Sequence, residues 1–168
     1  MKDEIINRVA NSKLMTIDLE DFYPQGKRVL IDIKDWLFEG LVLREKEFRT
    51  HVSNHNWEQY QDNYVALTCS TDAIIPAWAY MLLSTQLEPY ANNVVLGNLE
   101  LLETSIYQDI INTLDVSEFA DKPVIIKGCS NKPVPTNAYV MLTNALKPVA
   151  KSIMYGEACS SVPLFKRK

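Results

Sequence analysis

Tyr64-Val65-Ala66-Leu67-Thr68 is a short apolar run; a helix-forming stretch over 73–87 follows it, and Asn93-Val94-Val95-Leu96 is a second apolar run beyond that. Two strands separated by a helix cannot meet through a tight turn. The helix carries the chain back along the sheet, so the strands pair in parallel. The same rhythm continues outward, with a helix over 99–114, the strand Val124-Ile125-Ile126-Lys127, a helix over 136–146 and a fourth strand over 149–154. Pro76 and Pro135 fall at helix starts, where a missing N–H is tolerated. The expected fold is therefore α/β, a mainly parallel sheet with helices on both faces. The tail beyond Met154 reads as irregular.

Upstream the pattern changes. Residues 3–14 place Ile5, Ile6, Val9 and Ala10 at helical spacing, which predicts a short N-terminal helix. Thr16-Ile17-Asp18-Leu19-Glu20-Asp21-Phe22 and Arg28-Val29-Leu30-Ile31-Asp32-Ile33 alternate apolar and polar residues around Pro24-Gln25-Gly26, which predicts an antiparallel hairpin. A surface helix over 43–55 and a polar stretch over 56–63 complete this part. The expected organisation is one domain over 1–168, with 1–63 an N-terminal elaboration of helix, hairpin and helix, and 64–168 the α/β core.

The 168 residues are 47% hydrophobic and 23% charged, the balance of a folded globular protein, which excludes intrinsic disorder. Lys+Arg number 17 against 21 Asp+Glu, a net charge of -4, so no global positive field exists to hold a phosphate backbone and nucleic acid is not an expected partner. The most apolar stretch, 73–83, falls short of the roughly 20 residues that a bilayer crossing needs, so no membrane association is expected. Met1-Lys2-Asp3-Glu4 carries acids where a secretory signal is basic, and three cysteines cannot pair evenly. The expectation is a cytoplasmic chain with reduced thiols. A homodimer is compatible with its size and class.

The cysteines share one local setting: a β-rich segment, then Cys-Ser, then a proline. They are Thr68-Cys69-Ser70 with Pro76, Gly128-Cys129-Ser130 with Pro133 and Pro135, and Ala158-Cys159-Ser160 with Pro163. Ala79-Tyr80 follows Cys69 at about the distance at which Ala138-Tyr139 follows Cys129, which is compatible with a weak internal repeat. In a single parallel sheet Cys69 and Cys129 leave at the carboxyl edge, where open α/β sheets bind ligands, and Cys159 reaches the same edge from beyond the last strand. Three convergent thiolates suit a soft metal: zinc, with Asp72 or water as fourth ligand, or a four-iron cluster with one iron left open. Magnesium and calcium are excluded by the sulfur ligands. A helix opening near Thr71 and Asp72 would aim its N–H groups at Cys69 and favour the thiolate.

Two other readings of the same residues stay open. In one, Cys69 is the nucleophile of a thiol-dependent enzyme or a sulfur carrier, tuned by Ser70 and Asp72, although no histidine lies near it in sequence to act as base. In the other the cysteines are inert, as this residue type often is when buried, and the chain is a non-catalytic interaction protein. His51 and His55 lie one helical turn apart, but no third ligand accompanies them and they read as surface histidines. Asp18, Glu20 and Asp21 resemble a carboxylate cluster, but Asp18 and Glu20 alternate with Ile17 and Leu19 and read as the wet face of a strand. Tyr80 and Tyr139 are candidates to line a pocket beside the thiols, and Lys166-Arg167-Lys168 reads as a solvated tail. No GxGxxG or GxxxxGK string is present, so nucleotide binding has no support.

Longer strings carry a resemblance. They are Ser12-Lys13-Leu14, Thr16-Ile17-Asp18-Leu19-Glu20-Asp21-Phe22-Tyr23, Asp32-Ile33-Lys34-Asp35-Trp36-Leu37, Ala66-Leu67-Thr68-Cys69-Ser70, Asp72-Ala73-Ile74-Ile75-Pro76 and Lys151-Ser152-Ile153-Met154-Tyr155-Gly156-Glu157. Through them the chain resembles, over nearly its whole length, an uncharacterised bacterial family catalogued only as a domain of unknown function. That family brings no activity with it. The resemblance implies a genomic neighbourhood shared with iron–sulfur cluster assembly proteins, and hence an accessory role in cluster assembly or sulfur handling.

Overall fold

The computed structural model describes residues 14–128, 131–157 and 159–168. The helix expected over 3–14 lies outside the described residues, Leu14 excepted, and so does Cys129. In chain order the elements are β1 (Met15–Ile17), β2 (Arg28–Asp32), α1 (Glu45–Asn54), β3 (Tyr64–Thr68), α2 (Ala77–Leu87), β4 (Asn93–Leu96), α3 (Leu99–Thr113), β5 (Pro123–Ile126), α4 (Thr136–Leu146), β6 (Ser152–Glu157) and β7 (Ser160–Lys166). They form two sheets, one in the order β1-β5-β6-β7 and one in the order β2-β3-β4. Every pairing is parallel except β6 with β7. The α/β class with helices flanking mainly parallel strands is thus the one the alternating pattern predicts.

The predicted hairpin does not form. β1 pairs with β5, Met15 opposite Val124, whereas β2 pairs with β3, Arg28 opposite Tyr64. The cause is local at the strand ends and non-local in the partners. Asp18 accepts the Glu20 N–H at 3.0 Å and caps a 3-10 turn over Leu19–Phe22, and Asp32 accepts the Lys34 N–H at 3.1 Å and caps another over Ile33–Trp36. Short aspartate side chains compete with the ladder in this way, which ends each strand early. A lone two-stranded hairpin buries little apolar surface. Pairing each strand with a later one instead buries Ile17 and Ile31 in separate cores.

The tail that reads as irregular is β7, antiparallel to β6 with a bulge at Ile153 and Met154. Pro163 obscured it. On an edge strand the missing N–H of a proline costs no ladder bond.

The chain divides into two compact units, one of Met1–Tyr23 with Tyr107–Lys168 and the other of Pro24–Ile106. They are built alike. Shifting by 59 residues, Phe48, Val52, Tyr60, Val65, Ala79, Leu83 and Leu87 of one become Tyr107, Ile111, Phe119, Val124, Ala138, Leu142 and Leu146 of the other, and every one is buried. α2 presents Ala79, Leu83 and Leu87 and α4 presents Ala138, Leu142 and Leu146, both at the fourfold spacing that lines one helix face. Register repeats as well: Val65 lies opposite Val94 as Val124 lies opposite Ile153. So do fine details, since Ala91 N–H donates to Leu87 O and Ala150 N–H to Leu146 O, both at 2.8 Å. Asp62 and Asp121 take the same left-handed conformation, with φ of 59° and 55°. For the first strands the shift is 14, Ile17-Asp18-Leu19 answering Ile31-Asp32-Ile33. The second unit is therefore nested in the sequence of the first, between Tyr23 and Tyr107.

Candidate functional site

β2 and β3 are parallel neighbours with Asp32 opposite Thr68, so the residues just past them share one edge of the sheet, the carboxyl edge at which α/β sheets take ligands. Cys69 comes directly after β3 and is half-buried. Its Sγ lies 3.3 Å from the Thr71 hydroxyl. Beside it, Asp32 Oδ1 accepts the Ser70 N–H at 3.1 Å in addition to the Lys34 N–H. Burial pushes the Asp32 carboxyl up, but hydrogen bonds from the Ser70 side chain and from the Lys34 and Ser70 backbone, with the Lys34 charge, outweigh it and hold the group below its usual range. The Tyr80 hydroxyl on α2 is raised, first by burial and then by Cys69 and Asp32 nearby. Tyr80 also lines an apolar groove of about 300 Å³ with Leu67, Ala77, Met81, Val94 and Leu96.

The helix expected to open at Thr71 and Asp72 opens at Ala77, with Pro76 in extended conformation as its N-cap. A residue preceding proline is biased away from helix, so the 69–76 segment stays a loop. Asp72 is exposed in that loop and lines a different groove, of about 620 Å³, with Leu41, Val42, Leu43, Ile74 and Pro76.

In the other unit β5 and β6 are parallel neighbours. Cys129 follows β5 by three residues and lies outside the described residues. Cys159 is exposed in the turn joining β6 to β7. The loops that carry both thus leave one sheet at its carboxyl edge. Asp18, at the same edge after β1, pairs with Lys127 at 3.2 Å. That hydrogen bond first, then the carboxylate charges of Asp18, Glu157 and Asp21, raise the Lys127 ammonium. Glu20 accepts the Asn131 N–H, so Asp18 and Glu20 serve as a cap and a loop anchor and not as the wet face of a strand. A groove of about 240 Å³ over Ile126, Tyr139, Val140, Tyr155 and Leu164 repeats the one beside Tyr80. Leu67, Tyr80, Met81 and Leu96 map onto the first four by the same shift of 59.

The strands ahead of the three cysteines belong to two sheets, β3 before Cys69 to one and β5 and β6 before Cys129 and Cys159 to the other, so one sheet edge does not carry all three as expected. Among the described residues, no three of His, Cys, Asp and Glu gather as a metal site. His51 and His55 work as aromatic rings. His51 stacks on Trp36 with centroids 6.0 Å apart, and His55 packs on Trp36, Trp57 and Tyr60, its Nε2 2.8 Å from the Tyr60 hydroxyl. Burial holds the His55 pKa below its ordinary value of 6.5. The fold therefore resists protonating this ring while the unfolded chain does not. Stability is expected to be constant above that value and to fall as pH drops below it, and His55→Phe should flatten this part of a pH series of urea midpoints. An unchanged slope in the variant would assign the dependence to other groups.

Asp32 is the residue that reading by composition and spacing passed over. Its signal was present as a repeated string, Ile17-Asp18-Leu19-Glu20-Asp21 against Ile31-Asp32-Ile33-Lys34-Asp35.

Fold and site together define an α/β protein of two like units in which β3 and β5 are each followed in sequence by a Cys-Ser pair. The model of the family described as Protein of unknown function (DUF2480) matches residues 3–167, and the chain belongs to that family. Comparison with curated proteins and with solved structures returns no significant match. Among the described residues no helix is long and apolar enough to cross a membrane.

Proposed function

We propose that the protein binds zinc or an iron–sulfur cluster through Cys129 and Cys159 with Cys69, and with Asp72 as candidate fourth ligand, as an accessory of iron–sulfur assembly proteins. The observation that carries this reading is that each cysteine follows within three residues a strand paired in parallel, and that β5 and β6, the strands ahead of Cys129 and Cys159, are neighbours in one sheet. Sulfur on loops at such an edge is the donor set that soft metals select. The reading is tested by metal analysis of protein purified without oxygen, on the wild type and on Cys69→Ser, Cys129→Ser and Cys159→Ser. Near-stoichiometric zinc or iron is expected, lost in each variant. It is also expected to leave on acidification, because thiolates bind metal only when deprotonated. Trace metal in the wild type, or full occupancy in the Cys129→Ser variant, would overturn it. Retention in Cys69→Ser alone would remove Cys69 from the ligand set.

A second reading rests on the grouping of Cys69 with Thr71, Asp32 and Tyr80. Here Cys69 is the reactive thiol of an enzyme or sulfur carrier. Iodoacetamide labelling of metal-free protein should then modify Cys69 faster than exposed Cys159, and slower labelling of Cys69 would sink the idea.

A further inference from the structure

Lys166-Arg167-Lys168 is tied to the sheet and is more than a solvated tail. The Arg167 N–H donates to Lys151 O and the Lys151 N–H to Lys122 O, both at 2.9 Å, which extends the ladder of β5, β6 and β7 at the end where β5 and β6 begin. Neighbouring strands lie about 4.8 Å apart, so Lys122, Lys151 and Arg167 stand in a row about 10 Å long. Lys147 adjoins the row, because the guanidinium of Arg167 donates to the carbonyl of Pro148 at 2.7 Å. Lys147, Lys151, Lys166, Arg167 and Lys168 are exposed and Lys122 is half-buried. Among the described residues only Arg167 of these six has an ion-pair partner, Asp121 at 2.7 Å. The whole chain has a net charge of -4, so six cations gathered on one rim leave the remainder strongly acidic.

The fold does not require these cations. Under the 59-residue shift Asp121, Pro148 and Ala150 answer Asp62, Pro89 and Ala91, but Lys122, Lys147 and Lys151 answer Asn63, Glu88 and Asn92. The backbone there is the same, since the N–H of Lys147 donates to Thr143 O and that of Glu88 to Ser84 O, both at 3.0 Å. One unit thus builds this edge without positive charge, and gathering like charges in the other opposes folding by self-repulsion. Their place is explained by something that neutralises them.

We infer that this rim docks an acidic segment of a partner protein. Five of the six are lysines, point charges that steer and orient an acidic surface, whereas phosphate recognition favours the bidentate fork of arginine. The one guanidinium is already held by Asp121 and Pro148. The ring next to the rim in sequence, Phe165, packs against the core and offers no platform on which bases could stack. The turn that leads into Asp121 carries Asp115 and Glu118, which bound the positive surface. Charges act over about 8 Å at physiological salt, so a duplex or a bilayer, which runs on past the row, meets those acids and the rest of an acidic chain. A short run of carboxylates meets the lysines alone.

The test is fluorescence anisotropy of a labelled oligoglutamate peptide titrated with the full chain. Binding is expected at about 20 mM salt and should fade towards about 200 mM. The variant Lys122→Asn, Lys147→Glu, Lys151→Asn installs the residues of the equivalent edge and should weaken binding by at least about tenfold with the circular dichroism spectrum unchanged. Should it misfold, Lys166→Gln with Lys168→Gln at exposed positions reads the same surface. Lys27→Glu with Lys46→Glu removes as much positive charge elsewhere and should change binding by less than about twofold. No binding at low salt, rim variants that bind as the wild type does, or an equal loss in the control variant would each overturn the proposal. So would tighter binding of double-stranded DNA or of phosphatidylserine vesicles than of the peptide. The rim lies at the starts of β5 and β6 and the cysteine loops follow their ends, so its failure leaves the metal reading untouched.

Discussion

Glu103→Ala is expected to lower the unfolding free energy by about 3 to 5 kcal/mol, the cost of stranding a buried charge. Arg28 and Glu103 are 11% and 9% exposed at their side chains, and Arg28 Nε lies 2.6 Å from Glu103 Oε1. The second nitrogen of the fork reaches Oε2 at 3.4 Å. Nη1 donates to the carbonyl oxygens of Pro24 and Gly26, at 2.9 and 2.7 Å, and the guanidinium lies over the Tyr64 ring. A guanidinium has donors and no acceptor, so removing the carboxylate leaves a full positive charge without the counter-ion it holds at 2.6 Å. Glu103→Gln retains an acceptor and should cost less. The double variant Arg28→Met, Glu103→Leu should recover much of the loss, since an apolar pair of similar volume avoids burying any charge. Urea midpoints of the four proteins decide the matter. A loss below about 1 kcal/mol for Glu103→Ala would mean that the pair behaves as a surface ion pair.

The second large effect comes from the repeated core. Leu83→Ala in α2 and Leu142→Ala in α4 should each cost about 2 to 5 kcal/mol through lost burial and the cavity left behind. Both leucines are fully buried and hold equivalent places, each on a helix face between an alanine and a second leucine. Because the cost depends on how far neighbours can collapse, and the neighbours correspond, the two losses should agree within about 1 kcal/mol. Phe48 and Tyr107 give a contrast. They share one buried position, but the Tyr107 hydroxyl donates to Leu19 O at 2.9 Å, a bond that a phenylalanine cannot make. Chemical denaturation of both alanine variants is the measurement, and a several-fold disparity would show that the two cores are not packed alike.

Local signals in the sequence were read with success where the structure is local. Pro135 and the run behind it placed α4 at the residues it occupies, and Leu99 through Thr113 is a helix because its apolar positions recur at helical spacing. Strand β4 was legible from Val94 and Val95. The start of α2 was misplaced by four residues because the bias that Pro76 imposes on its predecessors was discounted. At the candidate site, a shared setting marks the cysteines, whereas Asp32 reads as one more residue of an alternating strand. What makes it matter is Ser70, 38 residues away, whose N–H it accepts. No periodicity within a short window carries that contact.

By itself the chain of 168 residues determined the α/β class, the helices and most strands, and a repeat whose imprint survives in Ala79-Tyr80 and Ala138-Tyr139. Helical period, proline at helix starts and β-branched runs act over a few residues, so any stretch displays them without its partners. Tertiary structure alone decided that β1 and β2, adjacent in the chain, belong to different sheets, that the tail is a strand, and that Cys69 and Cys129 follow strands of separate sheets. Strand pairing is a choice among distant partners of nearly equal propensity. It is settled by which arrangement buries Ile17 and Ile31 against separate helices and satisfies the strand edges, a quantity that exists only once the chain has folded.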